Sequence, residues 1–483
     1  MDIMSPMNSW AIKFRSDTLW SFIRMSESGV GFDSWKLQKL HDQAGHKAKR
    51  ASDYIEHRHH FPLSGKGSMT GLRNFMQECI NEADPQRYEK IWCAPRVPGG
   101  NPGWETHPVP SSGLRSHKIF TDSGLTPSGL ISTTNLIRLL VQRYLGQSHP
   151  LQLSLTAVGI HTRNSKLRSS HTGKLLDKFL FKKSPGHRIG FVYPSWHITP
   201  SPFKDGEGSE GGTSNARPTA TNPPIQTSPA SVSRCFASRY NGGFIISMDL
   251  SQIELRIAAL LSSDPYLLRI YREDRDLHTD TTVDIMGDTV KNDPYFNTGD
   301  NLHDPRQIYK QVNFLILYRG GPNRLIATVL ENGGPLLSSS KAYTLVSDVQ
   351  AQRTTYFEWG DTIVDEVRHN GYVRLPFTGQ KRSFNRSPDD STTKAIINYP
   401  VQATAANVLL RIQSYICSRL PRGVLPILNV YDSVKLDCPP SHKEELLSLI
   451  DEAILWCVND DYWGMLQDHY GNEVPLKYGI EVK

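Results

Sequence analysis

Phe244-Ile-Ile-Ser-Met-Asp-Leu-Ser-Gln-Ile-Glu-Leu-Arg-Ile-Ala-Ala-Leu-Leu261 changes period in its middle. Residues 244–248 form a short apolar run of the kind that makes a buried strand. Ile253, Ile257, Leu260 and Leu261 recur at helical spacing and mark one face of a helix. Asp249 stands at the junction. A carboxylate at the end of an apolar strand sits on rigid backbone and emerges at a sheet edge, where it can hold a cation. An Asp ending a strand is more often a helix cap or turn residue, so this aspartate alone decides nothing.

Downstream, the spacing predicts a helix from about Pro305, where proline suits the first turn, to a stop at Gly320-Gly321. Arg306, Lys310, Phe314 and Tyr318 recur at four-residue intervals and form one stripe, two cations leading into two aromatic rings. Such a stripe could bind a triphosphate at its basic end and stack a base at its aromatic end. An amphipathic helix with its rings in the core reads equally well. Residues Val424 to Leu436 predict two short apolar strands hinged at Tyr431-Asp432, which places a second aspartate at a strand end. An amphipathic helix over Ser441–Cys457 and a strand over Val474–Val482 follow.

Upstream, Leu37, Leu40, Ala44, Ala48, Ala51 and Ile55 mark a helix that Asp33 or Ser34 could cap. Its other face carries Lys36, Lys39, Lys47, Lys49 and Arg50, a solvated face or a phosphate-binding one. Ala94–Gly113 and Pro194–Ser233 read as loops by composition, and no internal repeat is present. The 483 residues suffice for two or three lobes. A net charge of +6 suits a polyanionic partner only weakly. The cysteines at 79, 93, 235, 417, 438 and 457 show no paired spacing, so reduced thiols and no structural zinc site are expected. No apolar run reaches the roughly 18 to 20 residues of a membrane helix, so a soluble cytoplasmic protein, or one in a host cytoplasm if viral, is expected.

The wording and order of these pieces add a resemblance. Met248-Asp-Leu-Ser-Gln-Ile-Glu-Leu-Arg256 resembles the first catalytic motif of family A, or polymerase I-like, DNA polymerases. Asp276-Leu-His278 is similar to the family's Asp-Ile-His element, and Arg306, Lys310, Phe314 and Tyr318 match its nucleotide-binding helix. Lys394-Ala-Ile-Ile-Asn398-Tyr-Pro-Val-Gln402-Ala-Thr-Ala-Ala406 resembles the segment lining the nascent base pair, and Val430-Tyr-Asp-Ser-Val434 the last catalytic motif. All appear in family order. Glu27-Ser-Gly-Val-Gly-Phe-Asp33 resembles the start of the thumb, so the likeness runs from about residue 20 to 483.

The resemblance implies an α+β right-hand polymerase whose antiparallel palm sheet carries the catalytic aspartates. The expected domains are an N-terminal extension over 1–20, a thumb-like region over 21–185, a palm over 186–260 and 400–483, and fingers over 261–399. It implies primer-template DNA and deoxynucleoside triphosphates as partners of a monomer, and two Mg2+ ions on Asp249 and Asp432, with Mn2+ as a substitute. Arg306 and Lys310 would hold the outgoing phosphates, with Lys310 also catalytic, and His278 would help at the β-phosphate or sugar. Glu254 would be the steric gate against a 2'-hydroxyl, with Gln252, Phe314 and Tyr318 around the nucleotide. Arg217, Gln226, Lys394, Asn398, Gln402 and Tyr431 would meet DNA.

Departures from the family pattern are plain. The last motif commonly reads His-Asp-Glu and here reads Tyr431-Asp432-Ser433. Lys394 replaces an arginine, Leu250 a tyrosine, and Leu315 and Arg319 replace glycines. Phe314, where some relatives have tyrosine, implies discrimination against dideoxynucleotides. About 20 residues without a paired-carboxylate motif precede the thumb-like segment, so no 3'-5' exonuclease activity is expected, with a separate exonuclease or processivity factor as candidate partner. Such a polymerase suits a virus or mobile element at least as well as a cell. A single-subunit RNA polymerase and a catalytically impaired nucleic-acid-binding relative are the alternatives.

Overall fold

A computed structural model of the chain describes residues 6–85, 134–182, 187–198 and 217–483. In chain order these hold α1 (Pro6–Ser28), β1 (Val30–Asp33), α2 (Ser34–His59), α3 (Ser68–Ala83), α4 (Thr134–Leu145), α5 (Gln152–Lys166), β2 (Ile189–Val192), β3 (Ser195–His197), β4 (Thr219–Thr221) and β5 (Phe244–Leu250). Then come α6 (Ile253–Ser262), α7 (Pro265–Arg272), α8 (Leu277–Met286), α9 (Pro305–Leu317), α10 (Pro322–Glu331), α11 (Ser339–Ala351) and α12 (Thr354–Asn370). β6 (Tyr372–Arg374), β7 (Lys381–Ser383), α13 (Asp390–Arg419), β8 (Leu425–Val430), β9 (Ser433–Cys438), α14 (Lys443–Asn459), α15 (Tyr462–Tyr470) and β10 (Tyr478–Val482) complete the order. They fall into two compact units, residues 1–41, 169–275 and 353–483, and residues 42–168 and 276–352. The loop expected over Ala94–Gly113 lies outside the described residues, as do residues 199–216 of the second expected loop.

The first unit is built on an antiparallel sheet in the order β10-β5-β9-β8. Alternation along each strand sends Ile246, Met248, Val434 and Leu436 to one face, where all four are fully buried. The other face carries Ser247, Asp249, Ser433, Lys435, Gly479 and Glu481. The α+β class and the antiparallel sheet bearing the aspartates agree with the sequence reading. α13 packs against α1, α6, α12, α14 and α15, which is why the run from Ile396 to Cys417 is buried almost without interruption. A helix enclosed on all sides needs no polar face.

Three expectations change at the edges of elements. α1 runs unbroken across residue 20, where a boundary was expected, and packs on β8 and α13 with Phe14, Phe22 and Met25 buried. The last strand begins at Tyr478 rather than Val474. Pro475 has no N–H for a ladder, and its carbonyl instead accepts from Arg256 at 2.7 Å. The helix expected to stop at Gly320-Gly321 ends at Leu317.

The second unit is helical where described. α9 packs on α8, α10 and α11, and α4 on α3, α5 and α10. Asp304 caps α9, accepting from Arg306 N at 2.9 Å, while the same carboxylate accepts from Asn297 N and Gly299 N at 3.1 and 3.0 Å. One fully buried side chain therefore fixes both the start of the helix and the loop before it.

Candidate active site

β8 and β9 are joined by a two-residue turn, Tyr431-Asp432, since Val430 pairs with Ser433. Such turns need a positive φ at the first central residue, and Tyr431 adopts it at 54°. Asp249 pairs directly with Ser433 across β5 and β9, and the Leu250 N–H donates to the Asp432 carbonyl at 2.9 Å. The two aspartates, 183 positions apart in number, thus occupy neighbouring ends of adjacent strands. Burial and the charge of Asp432 push the Asp249 carboxyl up to about 6, against an opposing pull from Lys435. Burial also raises Asp432, opposed by a backbone hydrogen bond and by Arg217.

Two acids that are hard to ionise side by side mark a place short of positive charge. A divalent cation fits that donor set, because magnesium takes hard oxygens and is commonly held by one or two carboxylates plus substrate phosphates. Among the described residues no group of three or more His, Cys, Asp or Glu side chains is arranged to hold a metal by itself. The carboxylate pair fits an ion that shares its coordination with a ligand.

Around this pair the first unit assembles further predicted residues. Glu254 lies in the first turn of α6 and is ion-paired with Arg217. The Arg217 guanidinium also lies over the Tyr431 ring at 5.7 Å. Arg217, Glu254, Tyr431 and Asp432 therefore form one connected cluster. Gln226 plays an internal part: its Oε1 accepts from Ala220 N at 2.7 Å, and its Nε2 donates to the carbonyls of Pro218 and Asn429 at 3.1 and 3.0 Å. Both amide hydrogens are engaged in bracing the Arg217 segment against β8. Gln252 caps α6 with φ 52°, and its Oε1 accepts from the Tyr271 hydroxyl at 3.1 Å.

Lys394, Asn398 and Gln402 form a half-buried line at four-residue spacing on α13. Lys394 is paired with Asp390 at 2.6 Å. Asn398 Oδ1 is buried without a hydrogen-bond partner among the described residues. An orphaned acceptor of this kind calls for a ligand or water.

In the second unit, Arg306, Lys310 and Phe314 line the open side of α9, while Tyr309, Val312, Asn313 and Ile316 on the other side are buried. Tyr318 is the C-cap residue. Arg306 is held by Asp276, Nε at 3.1 Å and Nη2 at 2.9 Å, and by Thr279 Oγ1 at 3.0 Å. Lys310 makes no ion pair among the described residues. His278 is buried, with its ring 5.5 Å from that of Phe314. Asn313 Nδ2 lies within hydrogen-bond distance of its Nδ1, at 3.0 Å.

Sequence reading missed the contacts that hold these groups: Asp276, quoted only as part of its motif, on Arg306, Asn313 on His278, Tyr271 on Gln252, and Arg217 on Glu254. Only Asp276 left a signal, as an Asp three residues before Thr279 at a helix start, whose N–H it caps at 2.8 Å.

Residues 154–478 match the family model of DNA polymerase family A. The thermostable DNA polymerase I of Thermus filiformis is 27% identical over 382 residues, covering 75% of this chain and 40% of that protein. DNA polymerase I of Streptococcus pneumoniae serotype 4 is 27% identical over 263 residues, 50% of this chain and 28% of the relative. The chain thus spans about two fifths or less of these curated relatives. Among solved structures, the POL domain of Pol1 from M. smegmatis, in complex with DNA primer-template and dNTP, superposes with a TM-score of 0.63 at 16% identity, covering 97% of this chain and 69% of that one.

Proposed function

The chain belongs to DNA polymerase family A, and we propose that it adds deoxynucleotides to the 3'-hydroxyl of a primer under direction of a template. The observation that carries this reading is the placement of Asp249 and Asp432 at adjacent strand ends, both carboxyls raised in pKa and short of positive charge. Magnesium bound there, or manganese in its place, would lower the pKa of the primer hydroxyl and neutralise charge on the phosphates. Asp249 and Asp432 would hold it.

The chain's other residues then take defined roles. Arg306, preset by Asp276, and Lys310, which makes no ion pair among the described residues, hold the outgoing phosphates, and Lys310 gives a proton to the leaving group. His278, oriented by Asn313, helps at the β-phosphate or sugar. Phe314 and Tyr318 meet the base, with Gln252 nearby in role. Glu254, kept in place by Arg217, closes the space a 2'-hydroxyl would need. Arg217, Tyr431, Lys394, Asn398 and Gln402 contact DNA, whereas Gln226 acts by bracing Arg217's segment. Residues 21–185, 186–260 with 400–483, and 261–399 are read as thumb, palm and fingers.

Extension of a labelled DNA primer with dNTPs or NTPs tests the reading. The wild type is expected to extend with dNTPs and to use NTPs at least about a hundredfold less efficiently, and Glu254→Ala to lose most of that preference, since a steric gate acts by excluding one group. Preference for NTPs would make it an RNA polymerase-like enzyme, and DNA binding without any extension would make it a binder.

A further inference from the structure

We propose that Lys435 is a positioning residue that grips a backbone phosphate near the primer end, a role that rests on the polymerase reading above. Lys435 faces Ser247 across β9 and β5, two residues along from the Asp249–Ser433 pair and on the same face of the sheet. Two residues of strand span about 6.5 Å, close to one nucleotide step of a strand whose end lies at the aspartates. The opposite face is apolar and buried, so a polyanion can approach only the side that Lys435 occupies.

The surroundings of this lysine leave it incomplete. Its Nζ donates to Ser247 Oγ at 2.8 Å, and it makes no ion pair among the described residues. Glu481, which faces Ser247 from β10, is taken by Lys483 at 3.2 Å. A half-buried ammonium held by one hydroxyl, with Asp249 and Glu481 attracting it only through space, loses hydration without gaining a contact ion pair. An anion laid on this face would supply it. Arg306 and Lys310 are assigned to the triphosphate, so the phosphate left for Lys435 is a phosphodiester of the primer strand. The competing role, in which Lys435 merely offsets the charge of Asp249, predicts no effect on DNA binding when metal and nucleotide are absent.

The test is primer-template binding by fluorescence anisotropy across a salt series in EDTA, with wild type, Lys435→Met, Lys435→Gln and Lys435→Arg, beside KM for primer-template and for dNTP. Each neutral variant should bind about 3- to 10-fold more weakly and show a salt slope smaller by about 0.9, the value of one phosphate contact. KM for primer-template should rise, KM for dNTP should hold, and Lys435→Arg should restore both binding and slope. Unchanged affinity and slope in whichever neutral variant folds overturns the proposal. Primer extension by the wild type in the same preparations separates the two readings. Extension with an unchanged slope removes only the role of Lys435, and a changed slope without extension removes only the polymerase reading.

Discussion

Asp249 shows how one side chain can be read from sequence while its chemistry cannot. Its place at a strand end follows from the change of period after Met248; its raised pKa follows first from burial and then from Asp432, which only pairing of β5 with β9 brings near. The shift has a definite consequence for stability. With an ordinary value of 3.8 and a folded value of about 6, the native protein binds more protons than the unfolded chain between these limits. Stability at this site therefore falls as pH rises from about 4 to about 6 and stays reduced above. In metal-free buffer, Asp249→Asn should be more stable than wild type at pH 7.5, on the order of 1 kcal/mol after screening by solvent. Urea unfolding across pH should show that gap closing below pH 4; an equal gap at both ends would contradict the assignment. The Arg217–Glu254 contact was not legible, because its partners lie 37 positions apart and Arg217 follows a low-complexity stretch without periodicity.

At the scale of elements, the end of α9 explains a departure visible in the sequence. Gly320 N donates to Leu315 O and Arg319 N to Ile316 O, both at 2.9 Å, which is the Schellman pattern of helix termination. The residue that must turn left-handed in it is Arg319, with φ 52°. Glycine takes that conformation without penalty, whereas a residue with a Cβ is disfavoured by about 1 kcal/mol. The glycine pair read as a stop signal is thus shifted by one: Gly320 sits just past the strained position. Arg319→Gly should raise stability by about 0.5–1 kcal/mol, seen as a higher midpoint in urea. A lower midpoint would mean that the Arg319 side chain contributes more than its backbone strain removes. The basic and aromatic stripe, by contrast, was legible because four-residue spacing fixes a helix face whatever surrounds it.

Over the whole chain, the order of motifs was legible and the integration of the amino-terminal helix was not. α1 buries Phe14, Phe22 and Met25 but leaves Ile12, Leu19, Trp20 and Ile23 exposed, so its apolar residues blur any single face. What ties it in is Arg411, which lies over the rings of Trp10 and Trp456 at 5.3 and 5.0 Å. Its guanidinium grips Asp461 through Nε at 2.7 Å and Nη2 at 2.6 Å. Both side chains are nearly inaccessible, so Asp461→Ala would leave the buried cation with only its longer pair to Asp17 at 3.6 Å and should cost about 3 kcal/mol. Calorimetry showing less than about 1 kcal/mol would place that pair in water.

The two carboxylates remain the claim on which function depends, and single-turnover primer extension by wild type, Asp249→Ala, Asp432→Ala and the double variant tests it most directly. Residues acting as one unit predict that each single change lowers the rate on the order of 10³-fold or more, that the double change adds little, and that primer-template affinity holds. Extension at the wild-type rate by either single variant would contradict the account.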